Sequence, residues 1–199
     1  MRVNDCHFVN LRHLSLEKKR FIVKTKHSHA GGSQGAVAIN KLVRQSAKAW
    51  LDAGAWIFHQ TGANDPDADS FQHPHYISMP FYDNMAGLLQ RASLAISRAG
   101  AGTLTELAMT QTPSILIPYP YAAEDHQSYN AAGFVEAGAA IVYGQSQLTP
   151  EILEAKVVEL LESDTMLQEM AGNASALAVP DSSDRLAELV RQSLSRVKF

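Results

Sequence analysis

With 199 residues, 46% hydrophobic and 19% charged, the chain can fill one good core or at most two small ones, and it carries no disordered bulk. A formal net charge of −3 provides no global attraction to nucleic acid and argues against a polyanionic partner. Cys6 is the single cysteine, which excludes an internal disulfide or a thiolate metal cluster and fits a reducing cytoplasm; no apolar run approaches the ~18 residues of a membrane span, and no signal core is present.

Residues 1–30 are an atypical segment that need not be native to the fold that follows. Residues 11–26 mix basic with scattered apolar side chains, only Phe21-Ile22-Val23 reads as a strand, and residues 24–30 are polar almost throughout. The run Gly31-Gly32-Ser33-Gln34-Gly35-Ala36 then opens a helix with Val37, Ile39, Leu42, Val43 and Ala47 on its apolar face. This is a strand-loop-helix unit without a clear strand. It is not a Walker loop, because no Lys-Ser or Lys-Thr follows the glycines. The Ser33 hydroxyl can donate to a phosphate oxygen or simply cap the helix.

From residue 55 the punctuation is regular. Apolar segments at 55–59, 76–79, 94–97, 114–117 and 139–143 alternate with helical patterns at 84–91, capped by Asp83, and at 127–136. That alternation predicts an α/β fold with a Rossmann-like, doubly wound parallel sheet, whose ligands sit at the carboxyl ends of the strands. The residues to watch are therefore 59–62, 81–85, 98–103 and 118–127. Pro150 behind Thr149 starts a helix that buries Leu153, Val157 and Leu161, and a shorter helix follows at 165–176. The chain closes on a helix whose stripe of Leu186, Leu189, Val190, Leu194 and Val197 must bury against something.

The stretch 93–108, Ser-Leu-Ala-Ile-Ser-Arg-Ala-Gly-Ala-Gly-Thr-Leu-Thr-Glu-Leu-Ala, carries the chemistry. A short strand meets a two-glycine turn, and a helix begins near Thr103. Gly100 and Gly102 allow positive φ and close approach of a ligand to the main chain, while the free amides and dipole of the helix favour an anion such as phosphate. Glu106, in the first turn on this reading, suits the dipole and can reach a ribose diol. Downstream, Gln127 and Asn130 share a helical face, and their amides suit sugar hydroxyls or the plain solvation of a helix start. Phe81 and Tyr82 can flank a flat base or belong to the core rim. His126, beside Asp125, has no nucleophile elbow with it. Asp65-x-Asp67-x-Asp69 opens like a calcium loop but has Ser70 and Tyr76 where that loop needs glycine and glutamate, and the His73/His75 and His27/His29 pairs lack a third ligand, so no metal is expected.

Residues 31–36 (GGSQGA), 59–62 (HQTG), 81–85 (FYDNM), 97–107 (SRAGAGTLTEL), 125–131 (DHQSYNA) and 179–181 (VPD), in this order, closely resemble the carboxyl-terminal half of the MurG family. These are inverting UDP-N-acetylglucosamine (UDP-GlcNAc) transferases of GT-B architecture that convert lipid I to lipid II in peptidoglycan synthesis on the cytoplasmic face of the membrane. The resemblance implies that residues 31–199 are the UDP-GlcNAc-binding domain. Glu106 would hold the ribose hydroxyls, and the turn through Ala101, Gly102 and Thr103, with Ser33, would face the diphosphate. The backbone at Tyr82, with Met85, would meet uracil, and Gln127 and Asn130 would read the GlcNAc hydroxyls. No metal or other cofactor is implied. The family's catalytic base, lipid acceptor site and peripheral membrane surface lie on an amino-terminal domain, so this half alone is expected to be inactive or nearly so. The family's last helix crosses back to that domain. Two other readings stay open: a donor-binding subunit of a split, two-component GlcNAc transferase, and a non-enzymatic UDP-sugar-binding module.

Overall fold

The computed structural model describes residues 21–24 and 33–196. Among them six strands, β1 (Phe21–Lys24), β2 (Trp56–Gln60), β3 (Tyr76–Met79), β4 (Leu94–Ser97), β5 (Ser114–Leu116) and β6 (Ala140–Val142), pair in parallel in the order β3-β2-β1-β4-β5-β6. Seven α-helices accompany them: α1 (Ser33–Asp52), α2 (Met85–Leu89), α3 (Ala101–Met109), α4 (His126–Glu136), α5 (Pro150–Glu162), α6 (Asp164–Ala176) and α7 (Ser182–Arg196). The doubly wound α/β architecture expected from the alternating pattern is the one observed.

Successive strand residues feed opposite layers, as a parallel sheet covered on both faces requires. Ile22, Ile57, Leu94, Ile96 and Ile115 pack under α1 and α5 with Val43, Trp50, Leu153 and Val157. On the other face Val23, Phe58, Ala95 and Leu116 pack under α2, α3 and α4 with Leu89, Leu104, Leu107 and Phe134.

The unit that lacked a clear strand in the sequence does possess one. Within β1, Ile22 stands opposite Ile57 and Leu94, and Val23 opposite Phe58 and Ala95, both fully buried. Burial at roughly 2 kcal/mol per such side chain is enough to hold a four-residue strand at the centre of the sheet, whatever the polarity of its neighbours in sequence. The rest of the atypical segment 1–30 lies outside the described residues.

The helix ends follow capping chemistry. Thr149 accepts from the Ile152 amide behind Pro150, and Ser163 accepts from Met166. At α2 the expected cap, Asp83, is replaced by Asn84, whose side chain accepts from the Gly87 amide at 3.0 Å. The α7 stripe is open among the described residues, with Leu186 63% and Leu194 69% exposed.

Candidate functional site

The strand order reverses between β1 and β4, all strands being parallel. β1 leads through α1 to β2 on one side, and β4 leads through α3 to β5 on the other, so the amino ends of α1 and α3 flank one crevice at the carboxyl edge. Ser33 is the first residue of α1, and its side chain lies outside the described residues.

Across the crevice, α3 starts at Ala101, two residues before the expected Thr103, with Gly100 as its N-cap. Gly100 has φ −70° and ψ 142°, and neither it nor Gly102 has positive φ, so the conformational reason offered for these glycines does not hold. Extended backbone at the cap and helical backbone after it are open to any residue. Nor does packing within the chain demand the glycine, because a Cβ on Gly100 would meet nothing nearer than Thr103 Oγ1 at 4.0 Å. What the turn does offer is a helix start with no side-chain cap, its first residues Ala101 and Gly102 exposed and Thr103 buried. The earlier start also moves Glu106 from the first turn to the second. Helical side chains lean toward the amino end, so half-buried Glu106 projects over Gly102 and Thr103, its neighbours three and four positions back.

Gln127 and Asn130 converge on the backbone of one residue, Ala99. Gln127 Oε1 accepts from the Ala99 amide at 3.3 Å and the Tyr119 amide at 3.0 Å, while Asn130 Nδ2 donates to the Ala99 carbonyl at 3.2 Å. Their amides are thereby oriented: the Gln127 oxygen is committed to the protein and its Nε2 donors are left over, and Asn130 is left with its oxygen. Their helix α4 follows a corner in which both Glu124 and Asp125 have φ 51°. Ser128 donates to Asp125, and exposed His126 donates from Nδ1 to the Ala123 carbonyl.

Arg98, which opens the watched stretch 98–103 but was given no role of its own, ties the same turn to other loops. Its Nη1 donates to the carbonyls of Ile117 and Pro118, both at 3.0 Å, and its Nη2 to Gln145 Oε1. The guanidinium lies 5.2 Å from the centre of the Tyr119 ring. Burial lowers its pKa to about 10, which leaves it charged at neutral pH.

Tyr82 and Met85 stand after β3, where α2 packs on α3. The Tyr82 ring turns inward against Phe58 at 5.0 Å, whereas Phe81 is 60% exposed.

Beneath β2 lies a buried polar network that sequence reading missed. Asn40 Nδ2 donates to the Thr61 carbonyl and to Asp65, so Asn40 Oδ1 faces His59 Nε2 as an acceptor. His59 is then the Nε2–H tautomer, and its Nδ1 accepts from Tyr76, whose pKa burial pushes up to about 12. Arg44 meets Asp65 in a two-pronged pair at 2.7 and 3.1 Å, with both side chains nearly or fully buried. The acidic triplet thus contributes a structural ion pair, while His73 Nδ1 accepts from the His75 amide. Tyr76→Phe leaves the buried His59 nitrogen without its donor and is expected to cost about 1–3 kcal/mol, read as a fall in melting temperature. An unchanged melting temperature would contradict the assigned tautomer.

Among the described residues no group of three or more His, Cys, Asp or Glu side chains is placed to hold a metal, and no helix is long and apolar enough to cross a membrane.

Comparison with known proteins gives a consistent picture. The model of the glycosyltransferase family 28 C-terminal domain matches residues 30–186. The UDP-N-acetylglucosamine--N-acetylmuramyl-(pentapeptide) pyrophosphoryl-undecaprenol N-acetylglucosamine transferase of Gloeothece citriformis is 65% identical over 178 residues, covering 89% of this chain and 48% of that protein. The identically named Nostoc protein is 64% identical over 166 residues, covering 83% and 46%. The crystal structure of Acinetobacter baumannii MurG superposes with a TM-score of 0.75 at 32% identity, over 88% of this chain and 52% of that one. The chain spans about half the length of the curated relatives it matches.

Proposed function

Since the chain belongs to glycosyltransferase family 28 and has the fold of the carboxyl-terminal half of a GT-B enzyme, we propose that it is the donor-binding half of a transferase that moves GlcNAc from UDP-GlcNAc to lipid I. The carrying observation is the uncapped start of α3 at the switch point, with Glu106, Gln127 and Asn130 around it. The amides of Ala101, Gly102 and Thr103, together with Ser33 across the crevice, receive the diphosphate. Glu106 accepts from the ribose hydroxyls, and the backbone at Tyr82 with Met85 meets uracil. Gln127 offers its Nε2 donors, and Asn130 its oxygen, to the sugar.

In the reaction an acceptor hydroxyl oxygen attacks the anomeric carbon of GlcNAc from the face opposite the diphosphate. The bond to the diphosphate breaks, UDP leaves with the electron pair, and the configuration inverts. Charge grows on the departing diphosphate, and the fixed dipoles of α3 stabilise it as it develops. The base that takes the acceptor proton, the lipid site and the peripheral contact with the cytoplasmic membrane face belong to an amino-terminal half, without which this half turns over little or no substrate. The half-length match supports that division, and it equally favours a second reading as the donor-binding subunit of a two-component transferase. Adding a separately produced acceptor half and observing transfer would select that second reading.

Calorimetric titration with UDP-GlcNAc and UDP-glucose tests the proposal: tighter binding of UDP-GlcNAc is expected, and no heat with either sinks it. Gln127→Glu keeps an oxygen for the Ala99 and Tyr119 amides but removes the donors. It is expected to reduce the preference for UDP-GlcNAc over UDP about three- to tenfold at an unchanged melting temperature. An unchanged preference removes Gln127 from sugar recognition.

A further inference from the structure

We infer that Arg98 is a positioning residue for the diphosphate seat, acting through the main chain and never touching the ligand. The inference rests on the reading of α3 as that seat.

The geometry singles out Arg98 for this role. It is the first residue after β4, two residues before the N-cap of α3, so any rotation of its peptide re-aims the first amides of the helix. Its guanidinium spans the loops that follow β5 and β6, through Ile117 and Pro118 on one and Gln145 on the other. The two peptides that flank Ala99 are gripped as well, the one before it by Gln127 at the Ala99 amide and the one after it by Asn130 at the Ala99 carbonyl. The two grips share a strut, because Gln127 also holds the Tyr119 amide while the Tyr119 ring lies beside the guanidinium. Arg98 and Ala99 are thus laced to residues 117–119 in both directions, and the backbone entering α3 has little freedom left. A seat made only of peptide amides has no side chain that can swing to correct its aim, so its affinity depends on this preorganisation. Only a planar fork can serve several acceptors on two loops at once. A lysine reaches one of them as a point charge.

The test compares the unaltered chain, Arg98→Lys and a control, Arg44→Lys, which loosens a more deeply buried arginine in the network under β2. Each is titrated with UDP and with UMP well below its own melting temperature. Both nucleotides carry the same base and ribose, so the ratio of their affinities reports the second phosphate, where the aim of the α3 amides matters most. Arg98→Lys is expected to lower UDP affinity at least tenfold and to reduce the UDP:UMP ratio at least fivefold. Arg44→Lys is expected to lower the melting temperature with the ratio unchanged. If Arg98→Lys keeps the ratio of the unaltered chain, or if Arg44→Lys depresses it as much, Arg98 has only a general structural role and the inference is overturned. If the unaltered chain binds neither nucleotide, the donor-site reading falls and takes this inference with it, a result distinct from the other two.

Discussion

Replacing Glu106 by alanine is expected to weaken the binding of UDP about 10- to 100-fold, because the carboxylate would make charge-assisted hydrogen bonds to the ribose worth about 1.5–3 kcal/mol. The group is well sited for this. It sits half-buried in the second turn of α3, leaning back over the exposed helix start that would hold the diphosphate. Deoxygenated analogues make the assignment sharper. On the unaltered chain, UDP lacking a ribose hydroxyl should bind more weakly, whereas on Glu106→Ala the same deletion should cost little more, since the two changes remove one interaction. Equal affinity of Glu106→Ala and the unaltered chain for UDP would dismiss the ribose contact.

The largest effect on stability is expected at Asp65. Alanine there takes the close carboxylate partner from Arg44, a residue 7% exposed, leaving it only the longer 3.9 Å approach to Asp67, and removes an acceptor from Asn40 in the same network. Breaking such a pair costs about 3 kcal/mol, which for a chain of this size lowers the melting temperature by roughly 6–12 °C. Removing both charges together, as Arg44→Met with Asp65→Leu, should recover part of that loss, because the desolvation of the ions disappears with them.

The pair also predicts an acid limb. Burial by itself raises the Asp65 pKa, but hydrogen bonds from Arg44, the Asp67 amide and Asn40, with the Arg44 charge, outweigh it and hold the pKa below its ordinary 3.8. A depressed folded-state pKa stabilises above the unfolded value, so this contribution is complete above about pH 5 and fades as pH falls through 3.8 toward the lowered value. Melting curves from pH 6 to pH 2.5 should converge for Asp65→Ala and the unaltered chain at the acid end. Parallel curves over that range would contradict the assignment.

Much of the fold was legible because its strands are covered on both faces. Buried parallel strands read as short apolar runs, and those at 76–79 and 94–97 coincide with β3 and β4. β1 was legible only in part, as Phe21-Ile22-Val23, because the clue of length was missing: two side chains, Ile22 and Val23, do its burying, and polar residues follow at once. The start of α3 was misplaced because glycine was read as turn. Ala101 is a strong helix former, and Gly102 is tolerated two residues past the cap, so the helix begins before its apolar face does. The polar network was harder still. Asn40 and Arg44 look like a solvated face of α1, and the groups that bury them, Thr61 and Asp65, are 21 to 25 residues away in sequence. No local pattern announces such a pairing. At the site the sequence grouped Gln127 with Asn130 but not what they grip. That the amides anchor the Ala99 backbone, and that Arg98 shares the task, emerges only from the packing of loops after different strands.

The corner at Glu124 and Asp125 has a bearing on how the protein can be engineered. Left-handed backbone disfavours residues with a Cβ by about 1 kcal/mol each, and here two such residues stand together directly before the helix that carries both amides. A search for thermal robustness would select glycine at these positions and gain melting temperature. It would also slacken the bend that points α4 at the Ala99 backbone, so heat tolerance and the sugar recognition proposed for Gln127 and Asn130 draw on the same two φ angles.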